Sequence, residues 1–315
     1  MDNTEKFTHL SLCTGYGGID LGLKRVVDNV RTIAYVEIEA FQCSNLVSKM
    51  EKGWLDAAPI WTNLKTFPWS SFRGKVDILS GGFPCQPFSS SGQRKGDEDP
   101  RHLWPFIKDG IITVRPAFVF FENVEGILSS KLSSGLWSDK QNTPVLLHIF
   151  RELERMGYSA TAGLFSAAEI GASHRRNRVF ILGIDKQKSF EQVQFKKLKL
   201  NFYPSGRHSQ NEWEPPRFMV NSNNSQCTIY DDSNRKQAKK WETIMYQYAN
   251  VNLLSKECKN KHILVGSNDG ARCRLDGSRS YNFNTNTTDR TKSLGNGVVP
   301  DTAALAFITL FKRLS

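Results

Sequence analysis

Short apolar runs alternate with longer amphipathic stretches over the first 185 residues of the 315-residue chain. Apolar runs of four or five residues predict buried strands, and apolar residues that recur every three or four positions predict helices. The predicted strands are residues 10–13, 32–36, 76–79, 117–121 and 179–182, and the predicted helices are residues 18–29, 40–51, 101–114 and 143–156. This alternation predicts an α/β fold in which helices cover a parallel sheet.

The alternation stops after residue 185. Residues 186–199 are rich in lysine and residues 201–235 are rich in Asn, Ser and Pro, although aromatic residues between 213 and 248 indicate that this part also folds. An alanine-rich apolar helix follows at residues 301–313 and needs a core to pack against, for which the sheet is the candidate. We therefore predict a sheet domain of residues 1–185, completed by residues 290–315, and a smaller irregular domain of residues 186–289.

The basic charge is concentrated in the second part of the chain. Residues 1–185 contain 21 Lys and Arg against 20 Asp and Glu, whereas residues 186–315 contain 21 against 11. Such asymmetry favours a polyanionic partner, most often nucleic acid, although a basic surface that contacts only solvent gives the same count.

Cysteine spacing and hydropathy exclude several other classes. The six cysteines include no Cys-x-x-Cys pair, so neither a zinc site nor a disulfide framework is expected. No apolar run approaches the roughly 20 residues of a membrane span, and the N-terminus lacks the layout of a signal peptide. We expect a cytoplasmic protein with reduced thiols, no metal and no membrane association.

A glycine-rich loop follows the first predicted strand. Closely spaced glycines let a backbone approach a ligand, and the next helix presents its N-terminus there; the loop is Thr14, Gly15, Tyr16, Gly17 and Gly18. Asp20 stands where a strict dinucleotide fingerprint needs glycine, which disfavours a nicotinamide enzyme. Glu37 closes the second strand, where a carboxylate can accept both ribose hydroxyls, so the pair predicts a nucleoside cofactor. Glu37 could equally be a solvated carboxylate at a strand end.

Cys85 lies where the strand of residues 76–79 gives way to a loop, between Pro84 and Gln86. Ligands bind at that edge of an open parallel sheet, so Cys85 is a candidate nucleophile. The alternative is a buried structural thiol. Residues 88–100 have almost nothing to bury and predict a mobile surface loop that could close over a substrate, or an ordinary loop.

Glu122 ends the next apolar strand and is expected to face the same cleft as Cys85. In a semi-apolar pocket it could carry a proton near neutral pH, whereas by default such a residue is solvated. Arg176 and Arg178 precede the last strand and, if extended, point to one face. Two guanidinium groups there could hold a carboxylate, a phosphate or a carbonyl oxygen.

Taken together and in this order, these segments resemble the DNA (cytosine-5) methyltransferases of the compact bacterial or phage kind. The glycine loop is similar to the family's cofactor motif, residues 82–86 to its nucleophile motif and residues 122–124 to its acid motif. Residues 176–178 are similar to its paired-arginine motif, and residues 294–300 to the segment that returns to the cofactor domain. The resemblance covers residues 1–185 and 290–315.

The resemblance implies a Rossmann-like methyltransferase sheet that binds S-adenosylmethionine, with residues 186–289 as a DNA target-recognition domain. It implies that a thiolate adds to C6 of a flipped-out cytosine, so that C5 becomes nucleophilic. The implied catalytic residues are Cys85, Glu122, Arg176 and Arg178. The implied cofactor residues are Thr14, Gly15, Tyr16, Gly17, Gly18, Glu37, Ile38, Asn63, Leu64, Pro84, Asn296 and Val298.

The implied partner is double-stranded DNA, whose phosphates are contacted by basic residues: Arg94, Lys95, Lys196, Lys197 and Lys199. A monomer is expected, and a restriction–modification system would pair it with a cognate endonuclease without a stable complex between the two. Three positions depart from the family pattern: Asn63 replaces an aspartate near the adenine amine, Ile38 replaces an aromatic residue, and His174 replaces a glutamine.

Two further functions stay open. An RNA cytosine-5 methyltransferase would share this core, although the Cys-Phe-Thr tripeptide of tRNA-acting relatives does not occur. A non-catalytic DNA-binding relative is disfavoured because Cys85, Glu122 and Arg178 are all present.

Overall fold

A central mixed sheet with helices on both faces forms the body of the protein. The computed structural model describes residues 6–84, 103–130, 143–172, 175–188 and 297–314, and the backbone of residues 217–221 and 224–230. The strands are β1 (Phe7–Leu12), β2 (Val30–Val36), β3 (Ile60–Trp61), β4 (Ile78–Gly81), β5 (Phe118–Val124), β6 (Tyr158–Ser166), β7 (Asn177–Asp185), β8 (Arg217–Asn221) and β9 (Asn224–Tyr230). The α-helices are α1 (Gly18–Val26), α2 (Ala40–Glu51), α3 (Trp104–Val114), α4 (Val145–Arg155) and α5 (Pro300–Leu314).

The strand order is β3-β2-β1-β4-β5-β7-β6-β8-β9. The first five strands in this order are parallel, and each later pair is antiparallel. The α/β class is therefore confirmed, but the prediction of a parallel sheet holds only for β1–β5. Strand β7 runs antiparallel to β5 and β6. Its start therefore lies beside the end of β5, where Val124 is opposite Arg178.

Strand β6 was not predicted, because its sequence has few β-branched residues and eight of its nine residues are buried. A strand with both faces covered shows no alternation of polar and apolar positions.

Two apolar layers hold the helices on the sheet. On one face, α1 and α5 pack on β5 and β7 through residues that include Leu23, Phe118 and Phe307. On the other face, α3 and α4 pack through residues that include Ile107, Ile149 and Phe121. Helix α5 therefore finds its core on the sheet, as its apolar composition predicts. The limits of the two predicted domains stay predictions, because most of residues 186–296 lie outside the described residues.

Candidate active site

The ends of β1, β2, β4 and β5 meet at one edge of the sheet, because these strands are parallel neighbours. Within the described residues this edge carries two buried carboxylates, Glu37 and Glu122, each 6% exposed. Glu37 ends β2 beside the glycine loop, and Glu122 lies near the end of β5 beside the loop that leaves β4. We name these two neighbourhoods the Glu37 half and the Glu122 half of the site.

The glycine loop turns through left-handed backbone conformations between β1 and α1. Gly15 has φ +57° and Gly17 has φ +84°, values that glycine adopts without steric cost. A Cβ atom on Gly17 would also lie 2.9 Å from Leu55 Cδ1. The positive φ therefore favours glycine at position 17, and any larger residue would also displace the Leu55 side chain.

Glu37 holds this loop through its carboxylate. Its Oε2 accepts a hydrogen bond from the Gly15 amide at 2.7 Å, and its Oε1 accepts one from the Glu39 amide at 2.8 Å. The carboxylate is thus fixed by two backbone donors rather than solvated. A carboxylate oxygen has further lone pairs, so a role in accepting ribose hydroxyls stays a prediction.

Three more predicted cofactor residues lie near this edge. Ile38 follows Glu37 and is 74% exposed, which is unusual for an isoleucine and leaves an apolar surface beside the carboxylate. The side-chain oxygen Oδ1 of Asn63 accepts a hydrogen bond from the Lys65 amide at 3.0 Å and so caps a short 3-10 turn. Leu64 is buried, and its side chain packs in the core.

The segment before α5 interlocks with the glycine loop. The Tyr16 hydroxyl donates to the Val298 carbonyl at 2.5 Å. A Cβ atom on Gly297 would overlap Tyr16 Cε1, and one on Gly18 would overlap the Val298 oxygen. Gly18 thus lets the Val298 backbone approach the glycine loop, and Gly297 leaves room for the Tyr16 ring. Tyr16, Gly18 and Val298 therefore lie together, while their role in cofactor binding stays a prediction, and Asn296 lies outside the described residues.

The loop that leaves β4 is joined to the end of β5. The Asn123 side-chain amide donates to the Phe83 carbonyl at 3.0 Å, and both residues are buried. A Cβ atom on Gly82 would lie 3.0 Å from Glu122 Oε2. The backbone three residues before Cys85 therefore lies against the Glu122 carboxylate. Cys85 itself lies outside the described residues, as do His174, Arg94, Lys95, Lys196, Lys197 and Lys199.

Glu122 forms an ion pair with Arg178, whose Nε lies 2.9 Å from Glu122 Oε1. Burial raises the pKa of Glu122 to about 7, and the charges of Arg178 and Arg176 only partly oppose that rise. Near neutral pH this carboxyl group therefore exists in both protonation states. A group of this kind can donate and accept a proton during a reaction.

The geometry of the two arginines differs from the prediction that both point to one face of a strand. Arg176 lies before β7 and has φ +27°, so the two-residue alternation of a strand does not apply to it. Its guanidinium donates to the Gly297 carbonyl, and its pKa is lowered to about 10 by burial and then by Arg178. Arg176 nonetheless acts electrostatically on Glu122 from this position.

Two polar residues near the site were not predicted as functional. Asn123 links the two strand ends, and its sequence signal was its place directly after Glu122. Asp20 accepts from Ser11 Oγ at 3.0 Å under the glycine loop, and its signal was an acidic residue inside an otherwise apolar helix face.

The Glu37 half suits an adenosyl group. It combines a glycine loop of open backbone at Gly15, a fixed carboxylate at Glu37 and an exposed apolar side chain at Ile38. Among the described residues no three His, Cys, Asp or Glu side chains are grouped so that they could hold a metal ion. No helix of the described ranges is long and apolar enough to cross a membrane.

Known proteins resemble this chain in sequence and in fold. A type II methyltransferase of Neisseria gonorrhoeae, M.NgoMIV, is 30% identical over 186 residues, which are 58% of this chain and 53% of that protein. M.AplI of Arthrospira platensis is 30% identical over 55% of this chain and 44% of its own length. The chain thus spans about half the length of these curated relatives.

Among solved structures, the S. pombe Dnmt2 methyltransferase aligns with 98% of this chain and 100% of its own, with a TM-score of 0.55 and 15% identity, which indicates a shared fold. The family model for C-5 cytosine-specific DNA methylases matches residues 7–310. The protein belongs to the C-5 cytosine-specific DNA methylase family.

Proposed function

We propose that the protein transfers a methyl group from S-adenosylmethionine to C5 of a cytosine within a specific sequence of duplex DNA. The observation that carries this proposal is the Glu122 half: a buried carboxyl group with a pKa of about 7, paired with Arg178 and packed against Gly82, three residues before Cys85. Family membership and the type II methyltransferase relatives support a modification enzyme.

The Glu37 half would hold the cofactor. Backbone groups of the glycine loop, the Glu37 carboxylate and the exposed Ile38 side chain would contact its polar and apolar parts, with Asn63 and the segment at Val298 as further walls. When bound, S-adenosylmethionine supplies an electrophilic methyl group.

Cys85 would act as the nucleophile. C5 of cytosine is too weak a nucleophile to take the methyl group directly, but addition of the Cys85 thiolate to C6 converts the ring to an enamine whose C5 is nucleophilic. After methyl transfer, loss of the C5 proton and expulsion of the thiolate restore the aromatic ring. The loop carrying Cys85 begins at the Gly82–Phe83 backbone, which Asn123 holds beside Glu122.

Glu122 would donate its proton to N3 as the thiolate adds, which removes the negative charge that would otherwise develop on the ring. Its pKa of about 7 matches this role, because a carboxyl group with an ordinary pKa is almost fully ionised at neutral pH. Arg178 would contact the O2 oxygen of the base while it orients Glu122. Arg176, tied to Gly297, would act on Glu122 through its charge rather than through contact with the base.

The target base would leave the DNA stack to reach this site, because its C6 is inaccessible within a duplex. Residues 186–289 would read the flanking sequence, while Arg94, Lys95, Lys196, Lys197 and Lys199 contact phosphates. We propose a monomer that acts beside, and not in complex with, a restriction endonuclease.

The test is methylation-sensitive sequencing of DNA and RNA from cells that express the protein, with cells that express Cys85→Ser as the control. The expected result is 5-methylcytosine at one short DNA sequence, present only with the unaltered protein. Methylation confined to RNA would contradict the proposed DNA substrate, and no methylation in either would contradict the proposed activity.

A further inference from the structure

A buried polar cluster lies under the glycine loop, where three neighbouring strands and helix α1 come together. It contains one carboxylate, one imidazole and four hydroxyl groups, and each residue is at most 9% exposed: His9, Ser11, Thr14, Asp20, Thr32 and Ser80. The proposed chemistry at Cys85 and Glu122 uses none of these side chains. A buried polar network whose members are hydrogen-bonded to one another makes the surrounding structure more rigid.

Asp20 is the acceptor at the centre of this cluster. Its Oδ2 accepts from Ser11 Oγ at 3.0 Å, and its Oδ1 accepts from Thr32 Oγ1 at 3.4 Å. His9 Nδ1 lies 3.5 Å from the same Oδ1, while His9 Nε2 lies 2.7 Å from Ser80 Oγ. Burial lowers the pKa of His9 to about 3, so the imidazole is neutral and does not compensate the Asp20 charge.

The cluster reaches the glycine loop through two hydroxyl groups. Thr14 Oγ1 lies 3.1 Å from Ser11 Oγ, which in turn donates to Asp20. The Thr14 amide donates to the Val36 carbonyl at 3.1 Å, so the first residue of the loop is tied to both β1 and β2. Glu37 holds the next residue, Gly15, from the other side.

We infer that Asp20 is a positioning residue, which fixes the loop of residues 14–18 in its cofactor-binding conformation by accepting the Ser11 hydroxyl. The nature of the ligand rests on the proposed function, whereas the effect on the loop does not. Because Asp20 is separated from the loop surface by Ser11 and Thr14, it acts on cofactor affinity and leaves the chemical step unchanged.

Protonation should weaken this anchor. Burial raises the pKa of Asp20 to about 6, with the bonds from Ser11 and Thr32 and the charge of Lys24 opposing the rise. A protonated carboxyl group loses acceptor capacity toward Ser11. The other charged or titratable groups around it are His9, Tyr35, and the Lys24–Asp56 pair, whose atoms lie 2.9 Å apart. Cofactor affinity should therefore fall as the pH drops through about 6.

The test is Asp20→Asn, which keeps the shape and one acceptor but removes the charge and the titration. The dissociation constant for radiolabelled S-adenosylmethionine is measured by equilibrium dialysis between pH 5 and 8. We expect it to rise about tenfold at pH 7.5, as for the loss of one charged hydrogen bond, and to show no inflection near pH 6. Turnover at saturating cofactor should stay within about twofold, which separates positioning from catalysis.

Hydrogen exchange without cofactor supplies a second measurement. Amides of residues 14–18 should exchange faster in Asp20→Asn than in the unaltered protein. The matched control is Glu152→Gln, because Glu152 is also buried and ion-paired but lies on α4, on the opposite face of the sheet. It should change neither loop exchange nor cofactor affinity.

Ser11→Ala removes the link between Asp20 and Thr14 while leaving the carboxylate in place. Its effect on affinity should not add to that of Asp20→Asn, because both break one path; additive effects would overturn the inference. If Asp20→Asn does not fold, Ser11→Ala with unchanged affinity and exchange overturns it instead. An unaltered protein that binds no S-adenosylmethionine would contradict the proposed function, whereas unchanged loop exchange in Asp20→Asn would contradict this inference alone.

Discussion

The two halves of the site place a glutamate at the same edge of the sheet and with the same 6% exposure, yet surround it differently. Glu37 accepts hydrogen bonds from the backbone amides of Gly15 and Glu39. Glu122 instead lies against Gly82 and the Arg178 guanidinium, and its pKa is raised to about 7. Two equally buried carboxyl groups can therefore serve different purposes: backbone donors fix Glu37 as an acceptor, whereas at Glu122 the effect of burial on the pKa outweighs the opposing arginine charges.

The largest expected effect is on turnover, and it comes from replacing Cys85, without an effect on cofactor binding. Cys85→Ser should lower turnover by at least about 1,000-fold, because a serine hydroxyl is far less ionised than a thiol at neutral pH. Cofactor binding at the Glu37 half should be unchanged. Unaltered protein should form a covalent adduct with DNA containing 5-fluorocytosine, seen as a mobility shift under denaturing conditions, and Cys85→Ser should not. Full turnover by this variant would contradict the covalent mechanism.

Glu122→Gln tests the proton carrier itself. Turnover should fall about 100-fold, as expected when a general acid is removed, with little change in the Michaelis constants. In the unaltered protein, turnover should decline above about pH 7 as Glu122 loses its proton, and the variant should lack that decline.

The control for this prediction is Glu125→Gln. Glu125 is three residues further along the chain, exposed, and accepts from Asn177 at 3.2 Å. It should keep both the rate and the pH profile. A Glu122→Gln variant that changed only a Michaelis constant would make Glu122 a binding residue.

Stability should change in opposite directions in the two halves. The folded pKa of Glu122, about 7, lies above the ordinary value of 4.5, so ionisation destabilises the fold as the pH rises through this range. Glu122→Gln should therefore raise the free energy of unfolding, on the order of 2 kcal/mol at pH 8 and much less at pH 5. Glu37→Gln should lower it by about 1–2 kcal/mol, because an amide NH₂ would face a backbone donor.

Urea unfolding of both variants at the two pH values provides the measurement. Destabilisation by Glu122→Gln at pH 8 would mean that the ion pair with Arg178 outweighs the cost of burying the carboxylate. The two substitutions would then change stability in the same direction, contrary to the prediction.

The smallest expected effect lies outside both halves. Replacing Lys196, Lys197 and Lys199 together by glutamine should weaken DNA binding equally for all sequences. It should also flatten the dependence of log affinity on log salt by about one unit for each phosphate that the protein no longer neutralises. Cofactor affinity and the pH profile of turnover should not change. An unchanged salt slope, measured by fluorescence anisotropy, would mean that these lysines face only solvent.

Much of the parallel half of the sheet was predictable, because β1, β2, β4 and β5 each contain a short apolar run and the helices have one apolar face. Strand β6 was not, since Tyr158–Ser166 contains a single β-branched residue and is buried on both faces. The order of the strands around β7 was not predictable either, because antiparallel pairing depends on where the chain turns. The sequence did indicate that Glu37 and Glu122 lie at or near the ends of strands.

What surrounds each of those glutamates could not be read from local pattern. Burial raises the pKa of Glu122, and Arg178 and Arg176, more than 50 residues further along the chain, partly oppose that rise. Arg176 likewise has a positive φ, and its guanidinium donates to the carbonyl of Gly297, 121 residues away. Such features arise from tertiary packing. The spacing of apolar residues along the chain, whether every two or every three to four positions, carries no information about it.

The interlocking of Tyr16 with Val298, residues 282 positions apart, has a consequence for how the chain is made. During synthesis, the apolar face of the sheet and of α1 emerges long before α5 does. At typical elongation speeds this face stays uncovered for on the order of ten seconds before α5 is synthesised. A ribosome-bound intermediate that ends before residue 297 should therefore expose this surface to chaperones, and the fold should close only when the last helix leaves the exit tunnel.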